Sequence, residues 1–268
     1  MKTATIFISF LVCLLLPMQA DAQSYTAPSP IMTKKLLKDF IHAHIVYPEE
    51  AKRAHTEGNV VLNFNIDKNG QITDRWVSKH VSDAIDSSAL QLFDLIIWNP
   101  ATSYGIPIES TSEFEISYNL KKYAKYVKSR GYDQIIYKDF GIDSSNSIYS
   151  LKQLTAPPKP IISDKYDGLE DLIYKEMKYP EEAQKLGIKG SVTLSFIIEV
   201  NGLPSNIYIE ENLGGGCCEE SIRILQLIKW APGIIEDLYV RTKYEMKFYF
   251  NPADNRSKHI PNQSNSGL

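Results

Sequence analysis

The chain has 268 residues, of which 43% are hydrophobic and 23% are charged, and its formal net charge at pH 7 is −3. This composition is typical of a globular protein and excludes a collagen-like or wholly disordered chain. The weakly acidic balance argues against nucleic acid as a partner, and the length suits two small domains.

The N-terminus has the features of a secretory signal peptide. Lys2 precedes an apolar run from Ile6 to Leu16, which is too short to cross a bilayer as a helix. Ala20-Asp21-Ala22 offers a cleavage site of small residues, so the mature chain is expected to begin near Gln23. We therefore predict a signal peptide over residues 1–22, with an uncleaved membrane anchor as the alternative.

An internal repeat organises the rest of the chain. Tyr47-Pro48-Glu49-Glu50-Ala51 returns as Tyr179-Pro180-Glu181-Glu182-Ala183, and Asn69-Gly70 returns as Asn201-Gly202. The offset is constant, because 179 − 47 and 202 − 70 are both 132. It also relates two Trp-x-Pro motifs, Trp98 to Pro100 and Trp230 to Pro232. A constant offset of this size indicates one structural unit that occurs twice.

Unit one, which we place at residues 23–122, begins with a helix. Thr33 is suited to cap it, and apolar side chains follow at helical spacing. These are Leu36, Leu37, Phe40, Ile41 and Ile45. A short helix begins at Tyr47-Pro48, since proline is favoured in a first helical turn. Strict alternation then predicts a half-buried strand over 59–67, and Asn69-Gly70 predicts a tight hairpin turn.

Three further elements complete unit one. A second strand is predicted over Ile72–Lys79, with a bulge or an early end because Trp76 and Val77 are adjacent apolar residues. From Asp83 the apolar period changes and predicts a helix that runs up to Trp98. Alternation returns in the last strand, at Phe114, Ile116, Tyr118 and Leu120.

A segment without a counterpart in the repeat separates the two units. Lys121–Lys159 interleaves basic residues with tyrosines, and charge runs are typical of solvated surfaces. We predict a linker over 123–159 whose tyrosines pack against a domain, with a basic ligand-binding patch as the alternative. Ala156–Pro160 is rich in proline and marks the boundary.

Unit two, at residues 160–252, repeats the same pattern. Asp167 and Glu170 have the spacing of a capping box, and a strand is predicted over Ser191–Val200. The last strand is Tyr244–Phe250, and the polar residues 253–268 are predicted to be a disordered tail. The fold class is therefore α+β, with two tandem units that each pack helices on one face of a three-stranded antiparallel sheet.

The sequence contains no recognisable catalytic motif. Its five histidines do not form the His-Glu-x-x-His pattern of zinc peptidases, and it has no nucleophile elbow or phosphate-binding glycine loop. Asp67, Asn69 and Gly70 resemble the start of a calcium loop, but Ser78 stands where the closing carboxylate belongs. We therefore predict a protein that is not an enzyme and requires no cofactor.

Cys217-Cys218 is the one unusual chemical feature. At the start of a helix either thiol is expected to have a lowered pKa and a raised reactivity. Capture of a soft metal ion or an intermolecular disulfide bridge is one hypothesis. The alternative is that Cys217 fills a packing position and Cys218 is incidental.

Taken together, the ordered motifs resemble the C-terminal domain of TonB-type energy transducers. They are Tyr-Pro-Glu-Glu-Ala, a glycine before the strand, the Asn-Gly hairpin and the Trp-x-Pro helix end, and each occurs twice. Unit two adds Gly214-Gly215-Gly216-Cys217 and Lys229-Trp230-Ala231-Pro232-Gly233, which are similar to one bacterial branch of that family. The resemblance covers about residues 34–120 and 166–252.

This resemblance implies a non-enzymatic periplasmic protein linked to TonB-dependent transmembrane transport. Domains of the family bind a short extended segment of an outer-membrane receptor by adding it to the edge of the sheet, a mode that uses unpaired backbone groups. The recruiting strand is then Phe114–Leu120 or Tyr244–Phe250, close to the Tyr-Pro motif. The alternative is that these edges are used internally, with one unit pairing with the other or with a second copy. The partner-binding residues implied are Tyr47, Pro48, Phe114, Ile116, Tyr118, Tyr179, Pro180, Tyr244, Met246, Phe248 and Phe250.

Two features depart from a force-transmitting transducer. The apolar N-terminus is short, and the proline-rich stretch lies between the units instead of after a membrane helix. The alternative function is a cell-envelope scaffold that binds peptidoglycan or assembles with itself, for example as a homodimer, through its sheet edges.

Overall fold

A computed structural model describes residues 25–131, 133, 139–251 and, for the backbone, 256–261. The predicted signal peptide lies outside the described residues. Within them, no helix is both long enough and apolar enough to cross a bilayer.

Unit one is built on a three-stranded antiparallel sheet whose central strand is β3. Strand β4 pairs with one side of β3 and β8 pairs with the other. The elements in chain order are β1 (Tyr25–Thr26), β2 (Ser29–Pro30), α1 (Lys34–His44), α2 (Glu49–Arg53), β3 (Gly58–Ile66), β4 (Ile72–Lys79), α3 (Asp83–Asp94), β5 (Trp98–Asn99), β6 (Ala101–Ser103), β7 (Ile106–Ile108), β8 (Ser110–Tyr118) and α4 (Leu120–Arg130).

Local chemistry accounts for these elements. The Oγ1 of Thr33 accepts a hydrogen bond from the N–H of Leu36 at 3.3 Å, which confirms the predicted cap of α1. The alternating apolar side chains of β3 are buried under the helices, as the period-2 pattern predicted. The hairpin turn is also confirmed, because Gly70 has φ = +82° and the Asp67 carboxylate accepts the N–H groups of Asn69 and Gln71, each at 2.8 Å.

Unit two repeats this arrangement around β12, which lies between β13 and β16. Its sheet is larger than the predicted three strands, because β9, β10, β15 and β17 each pair with part of β16. The elements from α4 onward are β9 (Gly141–Ile142), β10 (Ile148–Tyr149), β11 (Lys159–Ile161), α5 (Leu169–Glu176), α6 (Glu181–Lys185), β12 (Gly190–Ile198), β13 (Pro204–Glu211), α7 (Cys217–Leu227), β14 (Lys229–Ala231), β15 (Gly233–Ile235), β16 (Leu238–Asn251) and β17 (Arg256–Pro261).

The predicted α+β class and the tandem arrangement are thus confirmed, as is the bulge in β4. There the register passes from Val61 opposite Lys79 to Leu62 opposite Val77, which leaves Ser78 as the extra residue. Helix α3 ends earlier than predicted, at Asp94, because Trp98 pairs as a strand residue with Pro30 of β2.

Other boundaries also differ from the sequence prediction. The predicted linker contains most of α4 and also β10, which pairs with β16. The prediction that its tyrosines pack against a domain is confirmed at Tyr123, which is buried against Tyr47. Arg256–Pro261, predicted to be disordered, form β17 on the edge of β16. The capping-box prediction for α5 is wrong, because Gly168 is the N-cap and Asp167 donates its backbone N–H to Asp171.

A buried polar joint holds the two units together. The Asn206 side chain accepts from the N–H of Ile97 and donates to the carbonyl oxygen of Leu95, each at 2.9 Å. The guanidinium of Arg241 donates to the same carbonyl at 2.8 Å and forms two hydrogen bonds with Glu199, at 2.8 and 2.9 Å. In unit one the repeat places Asp67, Asp74 and Glu109 at the positions of Glu199, Asn206 and Arg241, so unit one has no equivalent of these three side chains.

Candidate binding edges

The β8 edge of unit one is open to an added strand. Among the described residues, β8 pairs with β3 alone, whereas β3 is paired on both sides. An unpaired edge presents a row of backbone N–H and C=O groups that an extended peptide can bond. This edge therefore has the backbone geometry that strand addition needs.

Contacts on the far side of β3 show which groups of β8 face outward. The carbonyl oxygens of Val61 and Asn65 accept hydrogen bonds from the side chains of Ser78 and Thr73 in β4, at 3.1 and 3.4 Å. Since successive backbone groups of a strand point in opposite directions, odd-numbered residues of β3 face β4 and even-numbered ones face β8. Phe114 lies opposite Leu62 of β3. Like the other even-numbered residues of β8, it therefore directs its backbone N–H and C=O groups toward β3.

The outward backbone groups of β8 belong to its odd-numbered residues. They are Thr111, Glu113, Glu115 and Ser117, all with exposed side chains. Glu115 accepts a hydrogen bond from the Asn59 amide at 3.0 Å across the same face of the sheet. The open edge is therefore flanked by carboxylates on its solvent-facing side, which favours an incoming strand with basic side chains opposite them.

The side chains singled out from the sequence face the core. Fully buried are Tyr47, Ile116, Tyr118, Met246, Phe248 and Phe250, and partly buried are Pro48, Phe114, Tyr179, Pro180 and Tyr244. They support the strands from beneath, while the backbone groups available to a partner belong to the residues between them. The alternation in the sequence already indicates which residues lie between the core-facing ones, because a core-facing residue and its outward neighbour differ by one position.

The Tyr-Pro motif has a structural role in both units. The hydroxyl groups of Tyr47 and Tyr179 donate to the carbonyl oxygens of Thr56 and Ile188, just beyond helices α2 and α6. Pro48 and Pro180 are the N-cap residues of those helices. Burial raises the pKa of the Tyr47 phenol, so the donating, protonated form is retained. The motif thus fixes each short helix against the start of the central strand.

The equivalent edge of unit two is occupied by this chain itself. Strand β17 pairs antiparallel with β16 from Met246 opposite Pro261 to Asn251 opposite Arg256. Nearer the start of β16, β10 pairs in parallel with Arg241 and Thr242. Of the two predicted recruiting strands, β8 is the one whose outer side is unpaired in the described part of the chain, and it ends at Tyr118 because Leu120 begins α4.

The two cysteines do not form a reactive thiol site. Both are free and buried, and the Sγ of Cys218 lies 3.1 Å from the Oδ1 of Asn212. Burial, with smaller contributions from Cys218 and Glu219, raises the pKa of Cys217 to about 11, so the expected lowering is wrong for this thiol. Among the described residues, no group of three or more candidate ligands could hold a metal ion. Packing is the role that this geometry supports.

We expect Cys217 to react slowly with iodoacetamide in the folded protein. With a pKa of about 11, its thiolate fraction at pH 8 is roughly a hundred times smaller than that of an ordinary cysteine. Mass spectrometry after timed alkylation measures this rate, and the same chain in urea should be labelled at the ordinary rate. A cysteine introduced by Ser117→Cys on the exposed face of β8 is the control. Equal rates for Cys217 and that control would contradict the assignment.

The comparison with family models agrees with the repeated architecture. The model of the family described as Gram-negative bacterial TonB protein C-terminal matches this chain twice, over residues 43–120 and 175–252. The NMR solution structure of the Helicobacter pylori TonB C-terminal domain (residues 179–285) is similar at 23% identity, over 33% of this chain and 84% of that one, with a TM-score of 0.25. A comparison with curated proteins found no match. The two family matches cover more than half of the chain, which therefore belongs to the Gram-negative bacterial TonB C-terminal family of protein-interaction domains and carries two copies of the domain in tandem.

Proposed function

We propose that this protein binds a partner in the periplasm by adding an extended segment of that partner to the β8 edge of unit one. The partner class is an outer-membrane receptor of TonB-dependent transport or another envelope protein. The observation that carries the proposal is the contrast between the edges: β8 pairs on one side among the described residues, while β16 is covered by β17. Family membership supports a protein-binding role in envelope transport.

The chemistry of the edge suits a backbone-led interaction. The outward N–H and C=O groups of Thr111, Glu113, Glu115 and Ser117 supply hydrogen bonds to any extended segment, whatever its sequence. Side chains then set the preference, and each favourable pair opposite a glutamate contributes roughly 0.2–1 kcal/mol. We therefore infer a partner segment with lysine or arginine at alternate positions.

A proline substitution tests this edge. Glu113→Pro removes one outward N–H without removing a bond to β3, and proline is tolerated on edge strands whose N–H faces solvent. Fluorescent peptides that cover the periplasm-facing segments of outer-membrane receptors of the same bacterium are titrated by anisotropy. We expect the best-binding peptide to lose about tenfold in affinity, since each hydrogen bond contributes about 0.5–1.5 kcal/mol and the ring obstructs the docked strand.

Glu113→Ala is the matched control, because it removes the same carboxylate but keeps the N–H. Glu113→Ala should lose less peptide affinity than Glu113→Pro, and the difference between the two affinities gives the contribution of the backbone N–H. If no peptide binds the wild-type protein, or if both variants bind equally, the proposed site is wrong. Light scattering on the same samples detects self-association. If the wild type is a dimer and Glu113→Pro is a monomer, the β8 edge pairs with a second copy of the chain instead.

A further inference from the structure

Strand β17 occupies the edge of unit two that corresponds to the open edge of unit one. The repeat offset equates Phe248 and Phe250 of β16 with Ile116 and Tyr118 of β8. In unit two this edge is paired with Arg256–Pro261 over six residues, in antiparallel register. The chain therefore displays, in cis, the backbone arrangement that strand addition produces.

We propose that β17 is an exchangeable internal ligand and that it masks a second binding edge, formed by Met246–Asn251 of β16. The occupant that replaces β17 is an extended segment of the same class that binds β8, so this inference rests on the proposed function. It adds a second site and a competitor built into the chain.

The core of unit one is closed without a strand at this position. Ile116 and Tyr118 are each 1% exposed although β8 has no neighbour on its outer side among the described residues. Their counterparts Phe248 and Phe250 are buried to the same degree, and Phe250 packs edge-on against Tyr179 of unit two. Release of β17 would therefore expose backbone hydrogen-bonding groups of β16 and remove the contacts that β17 makes with α5, while Phe250 and Tyr179 keep their mutual contact.

The sequence of β17 is suited to weak attachment. Arg256-Ser257-Lys258-His259 is polar, and Ile260 is the one large apolar residue before Pro261. A segment of this composition has little apolar surface to bury, so we infer that its attachment rests on backbone pairing with β16 together with its contacts to α5. Four residues, 252–255, connect it to β16, and a short connection gives an effective concentration in the millimolar range. Such a strand stays bound in the absence of a competitor yet can be displaced.

The same parity that applies to β8 identifies the outward groups of β16. The N–H of Glu199 donates to Leu203 at 3.0 Å in the β12–β13 turn, so odd-numbered residues of β12 face β13 and even-numbered ones face β16. Met246 lies opposite Leu194, so its backbone N–H and C=O groups bond to β12. The backbone groups of Lys247 and Tyr249 point the other way and bond to β17.

Peptide binding to truncated chains tests the proposal. The probe is a fluorescein-labelled synthetic peptide of residues 252–268 of this chain. We expect a chain that lacks residues 252–268 to bind it at least tenfold more tightly than either the full chain or a control that lacks only residues 262–268, because those two retain the competitor. Adding Glu113→Pro to the truncated chain should leave this binding unchanged, which separates the β16 edge from the β8 edge.

Hydrogen exchange on the full chain gives a second readout that does not depend on the truncated chain being folded. The amides of Lys247 and Tyr249 should exchange at least tenfold faster than those of Met246 and Phe248, because release of β17 exposes the first pair alone. Equal protection of both pairs, or a folded truncated chain that binds the peptide no better than the control, would overturn the proposal. Failure of receptor peptides to bind would refute the proposed function and leave this result standing.

Discussion

Arg241→Ala should lower the free energy of unfolding by about 3–5 kcal/mol, since truncating one member of a buried ion pair leaves the other charge without compensation. The side chains of Arg241 and Glu199 are 4% and 2% exposed, and the guanidinium also donates to the carbonyl oxygens of Leu95 and Asn146. Removing it leaves the Glu199 carboxylate buried beside an unfilled space. Chemical denaturation followed by tryptophan fluorescence measures the change.

The position of this ion pair makes a second consequence measurable. Because Arg241 reaches Leu95 of unit one, its loss should also loosen the joint, and calorimetry should then resolve two transitions where the wild type shows one. Lys175→Ala is the control. Its ion pair with Asp171 has a similar length, 2.7 Å, but Lys175 is 47% exposed and its pair is screened by solvent, so the expected loss is much smaller than that of Arg241→Ala. Similar losses in the two variants would contradict the importance assigned to burial.

Gly202→Ala should lower the free energy of unfolding by about 3 kcal/mol or more. Gly202 has φ = +75°, and a Cβ added there would lie 2.0 Å from the carbonyl oxygen of Trp230. The left-handed conformation alone costs an alanine roughly 1–2 kcal/mol, and the clash adds to it because the opposing atom is backbone. The turn is also bonded to the same residue, since the N–H of Trp230 donates to the Gly202 carbonyl at 2.9 Å.

Gly131→Ala separates the two costs. Gly131 ends α4 with φ = +82°, but among the described residues nothing lies within 4 Å of the point that an alanine Cβ would occupy, so the conformational cost alone, roughly 1–2 kcal/mol, should appear. Urea denaturation of both variants measures the difference. Gly70→Ala, whose Cβ would lie 2.4 Å from the carbonyl oxygen of Trp98, should behave like Gly202→Ala. If Gly131→Ala and Gly202→Ala lower the free energy of unfolding equally, the close approach of the hairpin turn to the Trp-x-Pro motif does not contribute to stability.

Much of the candidate site was within reach of sequence reasoning, and the remainder depended on which surfaces are covered. Alternation placed Phe114, Ile116 and Tyr118 on one face of a strand and Glu113 and Glu115 on the other. What it did not decide is that the outward backbone groups belong to the second set, where we propose that a partner docks. That assignment required the hydrogen bonds on the far side of β3, which tell in which direction each backbone group points.

The buried polar joint and the covered β16 edge could not be predicted from the sequence, for a related reason. Glu199 and Arg241 are ordinary charged residues until the fold buries them together with Leu95 of the other unit. Arg256–Pro261 have the polar composition of a tail, and β16 supplies the pairing that makes them a strand. Their conformation follows from a neighbouring edge and not from an intrinsic preference.

By itself the sequence determined the duplication, the α+β class and the chemistry of caps and turns, because helix period, strand alternation and positive φ are properties of neighbouring residues. Within the residues that the structure describes, the tertiary structure alone decided that β8 has an unpaired side and that β16 is covered by its own C-terminal segment. Whether an edge is free depends on segments far away in the chain, and the backbone groups that make an edge adhesive are the same for every sequence.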